Sequence, residues 1–387
     1  MREVFKSEKN ARSTIFCSGR YRPYSSARCK TALRTIFFQT YGLCLTARKG
    51  TVIKMIIDNV MCNDIDSFEE KPYGKRMYRF SQEVVAKMNL RARYMARYSC
   101  NAEIRFVTAA KTCFVSLLAE EGAARVVVYY GDYTVGEHIL ESGKITRIAL
   151  NVPEIVEGID DKHNTNKRFA KGVWRLHFHN AVVSVCDIDT LVEEIRAPKK
   201  DEMPEKMMLS YGSSISHGAG SSYNPMTYVG TLAKLLGVDY MAKGVGGSCF
   251  LEPEIADDFA KRTDWDFALM ELGVNMSGSF SVEEFTERFN YFADTLYKTG
   301  KKIVFLTIFP NSAIYNKMPD GENALKYNEV IREKCKEFDS KRVLLVEGDK
   351  ILTSSEMLSA DGIHPSTEGH VAMGYNLYNL VKKFIND

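Results

Sequence analysis

The sequence predicts a two-part α/β protein: an antiparallel β-sandwich of jelly-roll type over residues 55–200, then a three-layer, doubly wound parallel-sheet domain over 203–387. Three observations carry this. Between about Met55 and Ala197, short runs rich in Val, Ile, Phe and Tyr follow one another, separated by polar or glycine punctuation and not by helices. A charged, proline-bounded segment, PKKDEMP at 198–204, then reads as a linker. Beyond it, apolar strand-like runs alternate with helical ones, the pattern of a parallel sheet covered on both faces.

Residues 1–54 stand apart from both parts. They hold twelve Lys and Arg against two Glu, are rich in Ser, and carry no acidic residue between Glu8 and Asp58. A transit-type peptide fits that bias. A secretory signal fits poorly, because the apolar patch 35–45 is interrupted by Gln39 and Thr40 and lies far from the terminus. The favoured reading is an extension outside the fold, disordered or added by a misplaced start codon, with native translation beginning at Met55.

In the first part, runs 102–108, 112–118, 125–130, 144–150, 173–179 and 181–187 read as strands. Glu103-Ile104-Arg105-Phe106 and Trp174-Arg175-Leu176-His177-Phe178 alternate polar with apolar, as half-buried antiparallel strands do. His179-Asn180, between two such runs, reads as a hairpin turn. Many short strands in succession imply a sandwich or jelly roll.

In the second part, the apolar run Met207 to Leu209 ends in the turn Gly212-Ser213-Ser214. Asn224-Pro225 reads as an N-cap followed by a proline at the first helical position. Met226, Val229, Leu232 and Leu236 then recur at helical spacing, and Gly237 closes the helix. Residues 267–272 read as a buried strand. Ser281 and Glu284 form a capping box ahead of Val282, Phe285, Phe289, Phe292 and Leu296, with Gly300 at the end. Runs 303–309 and 343–346 read as strands, 325–338 and 366–384 as helices. In such a sheet the ligand site lies outside the carboxyl ends of the strands, and Ser214, Gly247, Asn275 and His364 all fall just after predicted strands or in the loops between elements.

Composition narrows the function classes. With 45% hydrophobic and 26% charged residues, the 387-residue chain is that of an ordinary globular protein. No apolar run approaches ~18 residues, so no transmembrane helix and no membrane partner are expected. The net charge of +3 is uneven: the basic extension leaves the remainder mildly acidic, with no basic stripe for nucleic acid. Nine cysteines, without CxxC or zinc-type spacing, imply no metal or other cofactor and fit reduced thiols in a cytoplasm. Cys113 and Cys186 sit in strand-like runs as small buried apolar residues.

Four segments carry chemistry. Gly212-Ser213-Ser214 lifts a hydroxyl off the end of a buried strand, the usual presentation of a serine nucleophile; alone it could be an ordinary turn. Asp361-Gly362-Ile363-His364-Pro365 sets a carboxylate three residues before an imidazole in a stiff loop, where it can fix the tautomer and stabilise the imidazolium; alone it could be a metal-ligand or capping pair. Gly244-Val245-Gly246-Gly247-Ser248 exposes backbone N–H groups suited to an oxyanion, or is a plain turn. Leu272-Gly273-Val274-Asn275 places an amide just beyond a buried strand, where it can serve the same oxyanion or simply make a turn.

In this order, the four segments resemble the SGNH (GDSL-like) hydrolase family over roughly residues 207–387. The resemblance implies Ser214 as nucleophile, His364 as base and Asp361 as its orienting partner. It also implies an oxyanion hole made of the Ser214 and Gly247 N–H groups and the Asn275 side chain. Gly247 is preferred to Gly246 because it directly precedes Ser248-Cys249. Two positions depart from the family pattern: Gly-Asp-Ser is Gly212-Ser213-Ser214, and Gly-x-Asn-Asp is Gly273-Val274-Asn275-Met276. A sandwich ahead of the hydrolase is also similar to the two-domain carbohydrate esterases, the acetyl-xylan esterase type among them.

The function implied is hydrolysis of short acyl esters, O-acetyl groups on a carbohydrate foremost, with a small-molecule or oligosaccharide ester as partner. The alternatives are a lysophospholipase or thioesterase of the same fold, and a carbohydrate-binding protein with an inactive hydrolase half. Other histidines and tryptophans carry no role. His217 reads as a surface histidine at a helix start, His177 and His179 as sheet residues, His370 as structural, and Trp174 and Trp265 as core.

Overall fold

The structure is a computed structural model and describes residues 56–57, 59–164, 168–179 and 181–387. The readings made for 1–54, and for a start at Met55, lie outside the described residues.

In chain order the first part runs β1 (Ile56–Ile57), β2 (Val60–Asn63), β3 (Ser67–Lys71), β4 (Gly74–Tyr78), α1 (Gln82–Lys87), α2 (Leu90–Met95), β5 (Glu103–Thr108) and β6 (Thr112–Glu121). It continues with β7 (Ala124–Tyr130), β8 (Tyr133–Leu140), β9 (Ile145–Asn151), α3 (Glu154–Glu157), β10 (Trp174–Phe178), β11 (Val182–Asp189) and β12 (Ile195–Arg196). One sheet has the order β1-β2-β5-β10-β7-β8, with β12 on β5; the other has β3-β4-β11-β6-β9. Ile104, Phe106, Val126 and Trp174 from the first sheet meet Cys113, Val115, Leu117 and Val183 from the second in one apolar core. This is the expected antiparallel sandwich.

Two expectations about these strands need correction. β10 pairs with β5 and β7, whereas β11 pairs with β4 and β6, so the connection through His179 is a corner between sheets and not a hairpin. The alternation in β5 and β10 is real, but their polar face is not solvated. Glu103, Arg105, Arg175 and His177 are all buried. Arg105 Nη2 donates to Asp239 Oδ1 at 2.8 Å, and Glu103 accepts from Arg105 Nε at 2.6 Å and Arg175 Nε at 3.0 Å. Paired charges let a polar face be buried where an unpaired one could not be.

The second part runs β13 (Met207–Gly212), α4 (Ser214–His217), α5 (Tyr228–Leu236), β14 (Asp239–Ala242), α6 (Pro253–Lys261), β15 (Phe267–Glu271) and α7 (Val282–Tyr297). After these come β16 (Lys302–Leu306), α8 (Ser312–Tyr315), α9 (Pro319–Lys336), β17 (Val343–Val346), α10 (Gly348–Ile351) and α11 (Thr367–Asn386). All five strands are parallel in the order β14-β13-β15-β16-β17. Successive residues of β13 point to opposite faces: Leu209 and Tyr211 join Phe259 and Phe292 under α6 and α7, while Met208 joins Val229 and Leu377 under α5 and α11. The three layers are those expected.

Local signals set most helix ends. The Ser281–Glu284 box is formed, with the Glu284 N–H donating to Ser281 Oγ at 3.1 Å and the Ser281 N–H to Glu284 Oε2 at 2.8 Å. The α5 start differs from the expectation: Asn224–Met226 is a separate 3₁₀ turn, and Thr227 is the N-cap, its hydroxyl accepting from Gly230 N–H. Helices α1 and α2 were not anticipated. Their Val84, Ala92 and Met95, with Met88 between them, pack into the α6–α7 face of the parallel-sheet core.

The strand order places a switch point at β13, the first strand of the parallel sheet, because the chain moves to β14 on one side and then to β15 on the other. The crevice beyond such a point is where open α/β sheets bind ligands. The loops that follow β13, β14 and β15 meet there.

Candidate active site

Ser214 is the first residue of α4, directly after the β13 turn. Ser213 caps this short helix, accepting from Ile215 N–H at 3.1 Å. The hydroxyl of Ser214 lies 2.8 Å from His364 Nε2. His364 Nδ1 lies 2.7 Å from Asp361 Oδ2. With the Nδ1 proton directed at the carboxylate, Nε2 is left as the acceptor for the serine proton.

The loop carrying His364 is held from several sides. Ser359 N–H donates to the His364 carbonyl at 2.7 Å, and Ser312 N–H to the Gly362 carbonyl at 2.7 Å. Asp361 Oδ1 accepts from Ile363 N–H, His364 N–H and Ser359 Oγ, each at 2.9 Å. Partial desolvation pushes the Asp361 carboxyl up, but the hydrogen bonds from His364, Ile363 and Ser359 outweigh it and hold the group well below the usual carboxylate range. Gly220 closes the far side. It has φ +92°, and a Cβ there would collide with the Pro365 carbonyl oxygen and lie 3.0 Å from His364 Cβ. Only a glycine admits that approach.

The glycine loop after β14 packs on α4. Val245 N–H donates to the Gly212 carbonyl at 2.9 Å, and a Cβ on Gly246 would lie 3.6 Å from Ser214 Cβ. The neighbouring Gly247 is exposed, with open space around it. Asn275 Oδ1 accepts from Cys249 N–H at 3.2 Å, which ties the β15 loop to the β14 loop and leaves the NH₂ end of the amide as a donor. The wall behind Gly246 comes from the first part of the chain: Met95 Cε would lie 3.4 Å from a Gly246 Cβ, and Arg91 Nε lies 3.5 Å from the Gly246 carbonyl.

Ser214, His364 and Asp361 are thus joined by hydrogen bonds, and the segments bearing Gly247 and Asn275 border the same switch-point crevice. The expectation for His217 is corrected. It is buried at the end of α4, edge-on to Tyr98 at 5.9 Å between ring centroids, and burial drives its basicity well below that of a free imidazole. Its neighbours from the first part of the chain, invisible to a local reading, cover it. His370 is buried, as expected of a structural residue. Its Nε2 donates to the Ala219 carbonyl at 3.0 Å and its Nδ1 accepts from Tyr228 N–H at 3.3 Å. Trp174 and Trp265 are core residues.

One residue at the site escaped the sequence reading. Glu271 ends β15 and binds the serine turn from within the fold: Oε2 accepts from Ser213 N–H at 2.8 Å and from Ser213 Oγ at 2.7 Å. The available signal was an acid closing the otherwise apolar run Phe267 to Met270.

Residues 210–372 match the GDSL-like Lipase/Acylhydrolase family model. The chain carries a GDSL-like lipase/acylhydrolase domain. A multidomain esterase from Ruminococcus flavefaciens is 29% identical over 130 residues, a match covering 32% of this chain and 16% of that protein. The chain therefore spans well under two thirds of that relative. Among solved structures, the salicylyl-acyltransferase SsfX3 from a tetracycline biosynthetic pathway is similar in fold, with TM-score 0.68 and 12% identity over 84% of this chain and 95% of that one. A family two carbohydrate esterase from Clostridium thermocellum, solved with cellohexaose, gives TM-score 0.56 and 14% identity over 84% of this chain and 99% of that one. The shared fold thus takes in the sandwich as well as the GDSL-like domain. No helix among the described residues is long and apolar enough to cross a membrane.

Proposed function

We propose that the chain is a serine esterase that removes short acyl groups, acetyl foremost, from carbohydrate. The observation that carries this reading is the unbroken relay from Ser214 Oγ through His364 to Asp361, at 2.8 and 2.7 Å. His364 takes the Ser214 proton as the hydroxyl attacks the ester carbonyl. The oxyanion is met by the N–H groups of Ser214 and Gly247 and by the Asn275 amide. His364 then returns its proton to the departing alcohol, and water repeats the sequence on the acyl-serine. Asp361 stays ionised throughout, which favours the imidazolium on which both proton transfers depend. The carbohydrate assignment draws on the two-part fold held in common with the carbohydrate esterase and on the esterase relative.

The test has two arms. Fluorophosphonate labelling followed by peptide mapping is expected to mark Ser214, and Ser214→Ala is expected to abolish both labelling and turnover. A p-nitrophenyl ester series is expected to peak sharply at acetate; a long-chain optimum would replace the carbohydrate reading with a lysophospholipase or thioesterase.

A further inference from the structure

Glu271 lies beneath the nucleophile turn, and the reaction sequence above does not use it. Its Oε2 accepts from Ser213 N–H, Ser213 Oγ and Ser216 Oγ at 2.8, 2.7 and 3.1 Å. One oxygen thus holds the residues on both sides of Ser214. Gly212 faces Glu271 across the β13–β15 pair, and a Cβ on Gly212 would sit 2.6 Å from that same oxygen. The glycine of the turn therefore makes room for the carboxyl as well as for the bend. Ser216 Oγ also lies 2.6 Å from Tyr228 OH.

Glu271 is 1% exposed, and its Oε1 has no hydrogen-bond partner among the described residues. The ionisable groups facing it are Tyr211 on β13, Tyr228 on α5 and Cys249 beyond β14, with Glu252 beside Tyr211 and Cys249. None is a cation. A buried acid with no counter-charge is an expensive feature. Burial pushes the Glu271 carboxyl up to about 7, although the serine-turn hydrogen bonds pull toward the ion. Such a group persists where it serves a purpose other than stability.

We propose that Glu271 is a positioning residue: its carboxylate, gripping Ser213 and Ser216, fixes the first turn of α4 so that Ser214 meets His364. The inference rests on Ser214 being the nucleophile. Ionised, Oε2 serves three donors with charge-assisted bonds, about twice as strong as neutral ones. Protonated, the carboxyl keeps only a weak acceptor for them and needs a partner for its own O–H. Two protons must then leave before the site works, one from the His364 imidazole and one from Glu271. The acid limb of log(kcat/KM) accordingly approaches a slope of two.

The test is the pH profile of p-nitrophenyl acetate hydrolysis by the full chain, Glu271→Gln and Ser216→Ala, each first titrated with a fluorophosphonate. Glu271→Gln is expected to keep stoichiometric labelling at Ser214, to lose about tenfold in kcat at pH 8 with KM unchanged, and to show an acid limb of slope one. Ser216→Ala removes one donor and is expected to move the Glu271 limb to higher pH. Lower turnover with an unchanged limb in Glu271→Gln makes the residue a mere part of the fold and overturns the proposal, as does a wild-type profile in that variant. Should Glu271→Gln not fold, Ser216→Ala decides: an unmoved profile overturns it. Wild-type protein that takes no label at Ser214 refutes the nucleophile assignment itself, whereas labelled protein with unaltered variants refutes only the role of Glu271.

Discussion

At the scale of single residues, one donor and two buried titratable groups make the sharpest predictions. Asn275 is held by one end of its amide, through Cys249 N–H, so the other end is fixed without a further contact. Asn275→Ala is expected to lower kcat on the order of 10²–10³ with little change in KM, measured on p-nitrophenyl acetate. His370 and Glu271 oppose each other in their effect on stability against pH. Burial drives the His370 imidazole down to about 4, so the unfolded chain binds the extra proton between about 6.5 and 4, and stability is lost as pH falls through that window. The Glu271 carboxyl, pushed up to about 7, holds the extra proton in the folded state above its unfolded value of 4.5, and stability is lost as pH rises from there to 7. A shift of this size corresponds to about 3 kcal/mol. Thermal melts of Glu271→Gln are therefore expected to gain on wild type from pH 5 to about pH 7 and to level off above it.

At the scale of elements, the loop from α4 to α5 and the loop from α10 to α11 hold each other in place. Gly220→Ala would put a methyl group into the Pro365 carbonyl at a φ of +92°. It is expected to cost about 1 kcal/mol or more in strain, yet to lower kcat far more than the melting temperature, because the displaced Pro365 backbone directly follows His364. What the sequence made legible follows the same division. That Ser214, His364 and Asp361 would come together was legible only from the four segments in their order, since each turn alone could have been an ordinary turn or cap. The capping box of α7 and the closing glycine of α5 were legible because caps act over three or four residues. Helices α1 and α2 were not, since six residues each give too short a period to read, and their apolar faces answer to Val245 and Phe259 far along the chain. The polar face of β5 and β10 was misread for a related reason: alternation reports which residues share a side, not what covers that side. Glu271 stayed hidden because its three donors come from another strand's turn, at a distance of some 55 to 58 positions.

At the scale of the whole molecule, the sandwich and the GDSL-like domain are joined by buried charge. Arg105 binds Glu103 on its own strand and Asp239 at the start of β14. Arg105→Ala leaves the buried Asp239 carboxylate without its ion-pair partner and Glu103 with Arg175 alone, and is expected to cost about 3–5 kcal/mol, read as a lower urea midpoint. Because the pair spans both parts, tryptophan emission from Trp174 in the sandwich and Trp265 in the GDSL-like domain should change in one shared transition. Arg79 makes the second bridge: it donates to the Ala242 carbonyl at 2.6 Å and the Gly244 carbonyl at 2.9 Å, so the sandwich side of the chain steadies the loop that leads to Gly247.

The β14 strand lies at the border of the parallel sheet, and its outward backbone groups are already spoken for. Asn63 Nδ2 reaches the Tyr240 carbonyl at 3.0 Å, Asp64 takes the Ala242 N–H at 2.9 Å, and Arg79 takes the Ala242 carbonyl. Side chains thus stand where a sixth strand would otherwise dock. A chain severed within 198–204 would shed this guard, and the bare margin would recruit its own kind. The excised piece should sediment as ragged stacks whose size grows with concentration, while the uncut protein in the same buffer stays dispersed.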